Sequence, residues 1–393
     1  MRTEAVIVDA VRSPMARGKA GGAFANLHPV EMLAQVLQGL VHRNDLDPAL
    51  VDDVLIGCVS QVAEQSALPG RNAWLAAGFP EHVPAAMIDR RCGSSQQAVH
   101  FAAQGIMAGA YDIVIAGGVE SMSRVPMGSS RGGADGDGPS VRARYAPGLV
   151  GQGISAELVA RKWGLGRQEL DAYSAMSHRR AATVQGSGGF DAEILPIRTE
   201  AAIVKADQTI RPETTVEGLA QLRPSFHTEA YAERFPEIEW SITPGNSSQI
   251  TDGASAVLVM SEAMARKLGL RPRARFVSFD VRGDDPLLML TAPITATRRT
   301  LQKAGLDAGD IDHFEVNEAF APVPLAWQRE FKVDPERLNP CGGAIALGHP
   351  LGASGARLMT TMLHALERSG GRYGLQTMCE AGGMANATII ERL

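Results

Sequence analysis

Apolar residues along the first 118 positions fall into two alternating patterns. Short runs at Ala5–Asp9, Asp53–Val59, Ala85–Ile88 and Asp112–Ala116 have the character of strands. Between them lie helical patterns. In Pro29–Val41 the apolar residues Val30, Leu33, Val36, Leu37, Leu40 and Val41 recur at the spacing of one helix face. Such alternation predicts a mostly parallel sheet covered by helices. From Cys92 to Tyr111 there is no Asp, Glu, Lys or Arg, and small apolar residues fall on every side of a helical wheel. That predicts a helix buried all round, with Ser94 or Ser95 placed to cap its start. Gln96, Gln97, His100 and Gln104 within it argue against a membrane span, since each would need a partner in lipid.

The alternation then breaks. Residues 128–140 are rich in Gly, Ser and Asp and read as a mobile loop. Residues 150–250 mix helical patterns, Ser155–Trp163 and Arg167–Thr183, with polar irregular segments. Strand and helix signals resume at Ala254–Met260 and run from Ala274 to the end, with further strands at Ile311–Val316 and Gly374–Met378. The chain also echoes itself. Asp45–Val54 aligns without gaps on Gly305–Phe314, both leading into a strand, and Tyr111–Gly118 is more loosely similar to Tyr373–Gly383. Two related α/β halves are expected, with the middle segment inserted into the first.

Composition narrows the function. The 393 residues exceed one simple core, and 42 glycines imply tight turns and close backbone packing. A net charge of -5 with no basic stripe excludes a nucleic-acid partner, although local arginines could hold a phosphorylated small molecule. The N-terminus enters a strand-like run at once and has no signal-peptide pattern, which predicts a cytoplasmic protein with no membrane span. Four scattered cysteines, Cys58, Cys92, Cys341 and Cys379, fit neither a disulfide framework nor a metal site. No metal is expected, and one or two reactive thiols fit better.

Four elements carry candidate chemistry. Cys92 lies at a helix N-terminus, where the dipole favours thiolate, although taken alone a cysteine there reads slightly better as a small buried apolar residue. Asn317-Glu318-Ala319-Phe320 follows a strand. His349 sits in the charge-free, glycine-rich stretch Gly342–Gly355, and Cys379-Glu380-Ala381-Gly382-Gly383 follows another strand. Strand ends and helix starts are where sites assemble in α/β sheets. Each residue alone has a plain structural reading as a turn, cap or packing residue. Cys58 and Cys341 are assigned to packing. The joint occurrence of all four elements, in this order and spacing, points to one site.

With these four, Gly117–Ser123 and Pro244–Ala254 complete a pattern that resembles the thiolase family (acetyl-CoA C-acyltransferase, 3-ketoacyl-CoA thiolase) over essentially the full length. The likeness is strongest to actinobacterial degradative thiolases. It implies an α/β, thiolase-like fold of two similar βαβαβαββ halves packed in layers. Residues 1–120 and 250–270 would form the N-terminal half, 121–249 an inserted loop domain, and 271–393 the C-terminal half. It implies CoA-dependent cleavage of a 3-ketoacyl-CoA, or the reverse condensation, within lipid degradation. By the same resemblance Cys92 is the nucleophile and His349 its base. Asn317 holds a water of the enolate oxyanion hole. Cys379 protonates the enolate and then activates CoA, and the N–H groups of Cys92 and Ala381 form a second hole. Arg211, Phe226, Ser248 and Phe320 would contact CoA, a co-substrate rather than a permanently bound cofactor, with an ordinary surface charge the equal reading for Arg211. A homodimer or homotetramer is implied.

Three departures from the family pattern stand out. Ala381 replaces a glycine beside the second oxyanion hole. Gln152 replaces a methionine at a pocket-lining position, and Met289-Leu290-Thr291-Ala292-Pro293 replaces Met-Gly-x-Gly-Pro near the acyl chain. The last two predict an acyl group other than plain acetoacetyl. A ketoacyl synthase lacks the second cysteine, and a non-catalytic CoA- or lipid-binding relative would not keep all four residues. A nucleotide-dependent dehydrogenase would need a Gly-x-Gly-x-x-Gly after the first strand.

Overall fold

The computed structural model describes residues 3–393. Ten strands build one sheet: β1 (Ala5–Arg12), β2 (Ala16–Arg17), β3 (Asp53–Gly57), β4 (Ala85–Ile88), β5 (Ile113–Ser121), and, after a small ribbon of β6 (Ile197–Arg198) and β7 (Ile203–Val204), β8 (Thr251–Ser261), β9 (Ala274–Gly283), β10 (His313–Val316), β11 (Tyr373–Glu380) and β12 (Met384–Arg392). Their order is β10-β11-β12-β9-β1-β8-β5-β3-β4, with β2 on β8.

The sheet reads the same outward from its middle. From β1, the order β8, β5, β3, β4 is joined antiparallel, antiparallel, parallel, parallel. From β9, the order β12, β11, β10 is joined antiparallel, antiparallel, parallel, and a single parallel bridge from Phe314 to Leu338 stands where β4 stands in the first half. The halves meet at β1–β9, where Val6 faces Arg275 and Ile7 faces Ala274. The sequence echo has a structural counterpart. Asp52 accepts from the N–H groups of Asp112 and Ile113, and Asp312 accepts from those of Arg372 and Tyr373, so each clamps the start of a neighbouring strand.

The expectation of a mostly parallel sheet is corrected: three of its strand pairs are parallel and six antiparallel. Helical crossovers give the parallel pairs. The tight β11–β12 turn and the long return from β5 to β8 give antiparallel ones, and hydrophobic pattern reports a strand's faces but not its direction. Strand alternation, shifted by one residue at a bulge between Ile7 and Asp9, places the residues of β1. Val6, Val8 and Val11 join the cluster under the helix Pro29–Arg43, whereas Ala5, Ile7 and Ala10 join the cluster of the helices Ser94–Met107 and Ser354–Ser369. Those two helices pack on each other and touch strands of both halves. Burying Met359 or Leu363 there stabilises by about 1.5–3 kcal/mol each.

The neutral helix begins at Ser94, with Gly93 as N-cap and no side-chain cap. The expected Ser94 and Ser95 caps are not formed. Ser94 Oγ accepts from Arg90 N (2.9 Å) and donates to Arg91 O (2.6 Å), and Ser95 Oγ accepts from Ala356 N across the helix pair. Nor is the helix buried all round, because Phe101 is 45% exposed. Residues 128–140 contain a 3-10 turn at Ser129–Arg131 and the start of a helix, Gly138–Arg144. The middle segment is tied to β1 by an ion triad. Arg12, completely buried, donates to Glu193 (2.6 Å) and Asp207 (2.7 and 2.9 Å).

Candidate active site

Cys92 sits between β4 and its helix in a turn held by Ser94, with Arg91 in the left-handed region at φ 51°. A non-glycine residue there is uncommon and marks a constrained turn. The thiol is buried among Met122, Leu351 and Met378, which come from three different elements. Burial, then the nearby Glu380, pushes it up to about 12. Its own N–H, the N–H of Ala381 and the Gln152 side chain pull the other way. The expectation that the helix dipole yields a resting thiolate is therefore corrected: desolvation wins, and Cys92 is a thiol at neutral pH.

Cys379 is the last but one residue of β11, opposite Ala385 of β12. It is buried, and burial followed by Cys92 and Glu380 holds its thiol well above the usual range. The two sulfurs thus feel one another. Ala381 stands at an ordinary negative φ, while the turn is made by Gly382 and Gly383 at φ 97° and 77°. Alanine fits because the left-handed positions belong to its neighbours.

His349 arrives on a loop from the other half. A Cβ on Gly348 would lie 2.2 Å from Thr251 Oγ1, so only glycine lets the loop pass. Beyond it, His349 N donates to Gln249 O and Thr251 Oγ1 (both 3.1 Å). Gly352 N donates to Glu120 Oε2 (2.9 Å), and Leu351 packs on Cys92. Glu120 also accepts from Val59 N, Ser60 N and Gln65 Nε2, so one buried carboxylate pins this loop to the end of β3.

The imidazole tautomer follows from proton counting. Ser354 Oγ donates to Pro350 O (2.9 Å) and lies 2.6 Å from His349 Nδ1. A hydroxyl has one proton. With that proton on Pro350 O, Nδ1–H must donate to Ser354, leaving Nε2 bare. Burial, then Arg357, lowers the ring to about 3, so it rests neutral. Nε2 faces Asn317 Nδ2 at 3.5 Å, and Asn317 Oδ1 is buried with no protein partner.

Asn317 is fixed from both sides. Its N–H donates to Thr377 O of β11. The next residue, Glu318, accepts from Tyr173 Oη (2.9 Å), Ser177 Oγ (2.7 Å), Asn339 Nδ2 (3.2 Å) and Ile345 N (3.1 Å). It thereby locks the strand exit to the helix Arg167–Gly186 and to the His349 segment.

The expected CoA residues also gather. Ser247 bridges Phe320, Ser248 N donates to Ala319 O, and Phe226 meets Phe320 edge-on at 6.1 Å between centroids. Arg211 is exposed and reaches the neighbouring Gln249 (3.2 Å), short of the cysteines. Cys58 and Cys341 are also buried, Cys58 against Gly352 of the His349 loop and Cys341 against Arg368. Glu120, Glu318, Ser354 and Glu380 stand in the motifs without an assigned role in the sequence reading. Their common signal is a polar residue in an otherwise apolar strand exit or helix start.

Family models for the N-terminal and C-terminal domains of thiolase match residues 5–263 and 270–392. The chain is 49% identical over 399 residues to the steroid 3-ketoacyl-CoA thiolase FadA6 of Mycobacterium tuberculosis, covering 100% of this chain and 95% of that protein. It is 44% identical to a 3-ketoacyl-CoA thiolase of Salmonella typhimurium, over 99% of this chain and 100% of that one. The crystal structure of the Bacillus anthracis acetyl-CoA acetyltransferase superposes with a TM-score of 0.88 at 36% identity, covering 100% and 99% of the two chains. With both family models matched across nearly the whole chain and its fold matched over its full length, the chain belongs to the thiolase family of acyltransferases.

Proposed function

We propose that this enzyme cleaves 3-ketoacyl-CoA with CoA, giving acetyl-CoA and an acyl-CoA two carbons shorter, with Cys92 as the covalent nucleophile. The observation that carries this is that Cys92, in the turn before its helix, packs on Met378, the residue before Cys379 in β11, and on Leu351 of the loop that brings His349 to Asn317. Cys92 gives its proton to His349 Nε2 and its sulfur bonds the 3-keto carbon. The bond between C2 and C3 then breaks, and the electron pair moves onto the thioester as an enolate. Asn317 and His349 face the enolate oxygen. Cys379 donates the proton that completes acetyl-CoA, then takes the proton of the incoming CoA thiol. CoA sulfur attacks acyl-Cys92 and releases the Cys92 thiolate, which takes its proton back from His349. The Cys92 and Ala381 N–H groups receive the oxyanion in this second half.

The test is thiolysis, followed by loss of the magnesium-enolate absorbance of a 3-ketoacyl-CoA. Cys92→Ser should abolish it. Cys379→Ala should lower turnover by about 10²–10⁴-fold, the usual worth of an acid/base group. Full activity of Cys379→Ala would instead support a ketoacyl-synthase type of chemistry.

For the acyl group, the support is the wall beside Gln152. Leu287 and Leu288 pack with Ile154, Leu158 and Phe235, Ser155 Oγ holds Leu287 O (2.8 Å), and Met289 is left-handed at φ 51°. We read this as a pocket for an acyl group bulkier than acetyl, in keeping with the relative named for a steroid thioester. Higher kcat/KM for acetoacetyl-CoA than for any bulkier 3-ketoacyl-CoA would refute it. CoA would lie along Ser248, Phe226 and Phe320, with Arg211 toward its phosphates. We assign residues 1–120 and 250–270 to one half, 271–393 to the other and 121–249 to a loop domain. The mirrored strand orders support this; residues 1 and 2 lie outside the described ones. A homodimer is supported by β4, an edge strand with Ala86 exposed and no partner beyond β3. A cytoplasmic setting is supported by four free cysteines.

A further inference from the structure

Glu380 follows Cys379 directly, and its carboxyl lies on the Cys92 side of β11. Alternation puts it on the face of Met378, which packs on Cys92. A Cβ added to Gly93 would lie 1.9 Å from Glu380 Oε1 and 2.7 Å from its Cδ, so the carboxyl fills the space that glycine leaves next to the nucleophile. The side chain is completely buried, and among the described residues neither oxygen makes a hydrogen bond of normal geometry, the Asn386 N–H being only nearby. Glu120 and Glu318, equally buried, each accept from four donors. Those two are built to be solvated by the protein, whereas Glu380 is not built to carry a charge.

We propose that Glu380 is a positioning residue acting through Cys92: its carboxyl must be uncharged for Cys92 to pass its proton to His349, so its ionisation sets the alkaline limit of the enzyme. This rests on the reading of Cys92 as nucleophile. The pocket holds three acidic protons, on Cys92, Cys379 and Glu380, in a desolvated volume. A charge on Glu380 opposes thiolate formation at both sulfurs, where it is the neighbouring carboxylate that raises each thiol. Burial raises Glu380 itself to about 8, with Arg90 and the Asn386 N–H opposing. Arg90 Nε is likewise buried without a partner, so the two are not hydrogen-bonded. The other charged or titratable groups on adjoining elements are Asp89 and Arg91 in the turn before Cys92, His100 further along the helix that Gly93 begins, Asp280 and Arg282 on β9, and Asp284 and Asp285, whose loop packs on Gly383. Below the Glu380 transition the site is neutral and His349 can accept the Cys92 proton. Above it, the site would have to hold two negative charges.

The experiment is the rate at which a saturated acyl-CoA acylates Cys92, read by intact-protein mass from about pH 6 to about pH 10, since such profiles report free-enzyme ionisations. A saturated thioester is used because it does not form the enolate of the keto substrate. The wild type should lose rate about tenfold per pH unit above about 8. Glu380→Gln, close in shape and uncharged, should lose this fall, and Glu380→Leu gives a second reading should the amide fold poorly. The same alkaline fall in both variants would overturn the proposal and leave Glu380 a space-filling residue. Cys92→Ser serves as the control: continued acylation of that variant would overturn the nucleophile reading itself, which separates the two failures.

Discussion

Removing one hydroxyl should disable the proposed base, His349, without touching it. Among the described residues Ser354 Oγ is the only acceptor for the Nδ1–H of His349, at 2.6 Å, in a site where the ring is 4% and the serine 0% exposed. In Ser354→Ala, keeping the proton on Nδ1 leaves a buried donor unpaired, which costs about 1–3 kcal/mol. The ring can avoid that cost by moving the proton to Nε2. In that tautomer the nitrogen facing Asn317 is occupied, and His349 cannot take the Cys92 proton. The competent fraction therefore falls by the Boltzmann factor of the same free energy, about 5- to 150-fold. Since only the competent tautomer reacts, kcat/KM for the 3-ketoacyl-CoA should fall by that factor.

The assay is steady-state thiolysis, paired with nitrogen-15 spectra of histidine-labelled protein to read the tautomer of His349. Ser354→Thr keeps the acceptor and should recover most of the activity. The reasoning fails if Ser354→Ala keeps kcat/KM within about twofold of the wild type while its spectrum still shows Nδ1–H, because the hydrogen bond would then neither select the tautomer nor matter to it.

Other regions give further expectations. Asp207→Ala strips two hydrogen bonds from the buried Arg12 guanidinium and one from Met15 N, and should destabilise by about 3–5 kcal/mol in urea unfolding, as expected for a broken buried pair. His100 is lowered by burial from 6.5 to about 3, so it is neutral when folded and charged when unfolded between those values. Its stabilising contribution is complete above 6.5 and is lost as pH falls toward 3, at about 1.4 kcal/mol per pH unit. His100→Gln should flatten the pH dependence of unfolding free energy by that slope, and an unchanged slope would contradict it. Ala86→Lys places a charge on the open edge of β4 and, on the proposed dimer arrangement, should give a monomer in light scattering after size-exclusion chromatography; an unchanged mass would remove β4 from the interface.

What the chain disclosed in advance follows from where each property is encoded. Cys92, Asn317, His349 and Cys379 lie in local motifs whose glycines and strand ends are visible in one dimension. The echo between Asp45–Val54 and Gly305–Phe314 was visible because Asp52 and Asp312 do the same local work, each gripping two N–H groups of an adjacent strand. Strand directions were hidden, since alternation marks faces only. So was every protonation state. The dipole argument for a Cys92 thiolate used only the helix that follows it, whereas the burial and the carboxyl that reverse the outcome come from β5, the His349 loop and β11. Similarly, the tautomer of His349 is set by Ser354, whose own proton is committed to Pro350 O. Residue identity in this family is local, but acidity is a property of the surface where the two halves meet. Chemistry can be conferred or withdrawn there by residues such as Glu380 that never touch the bond being broken.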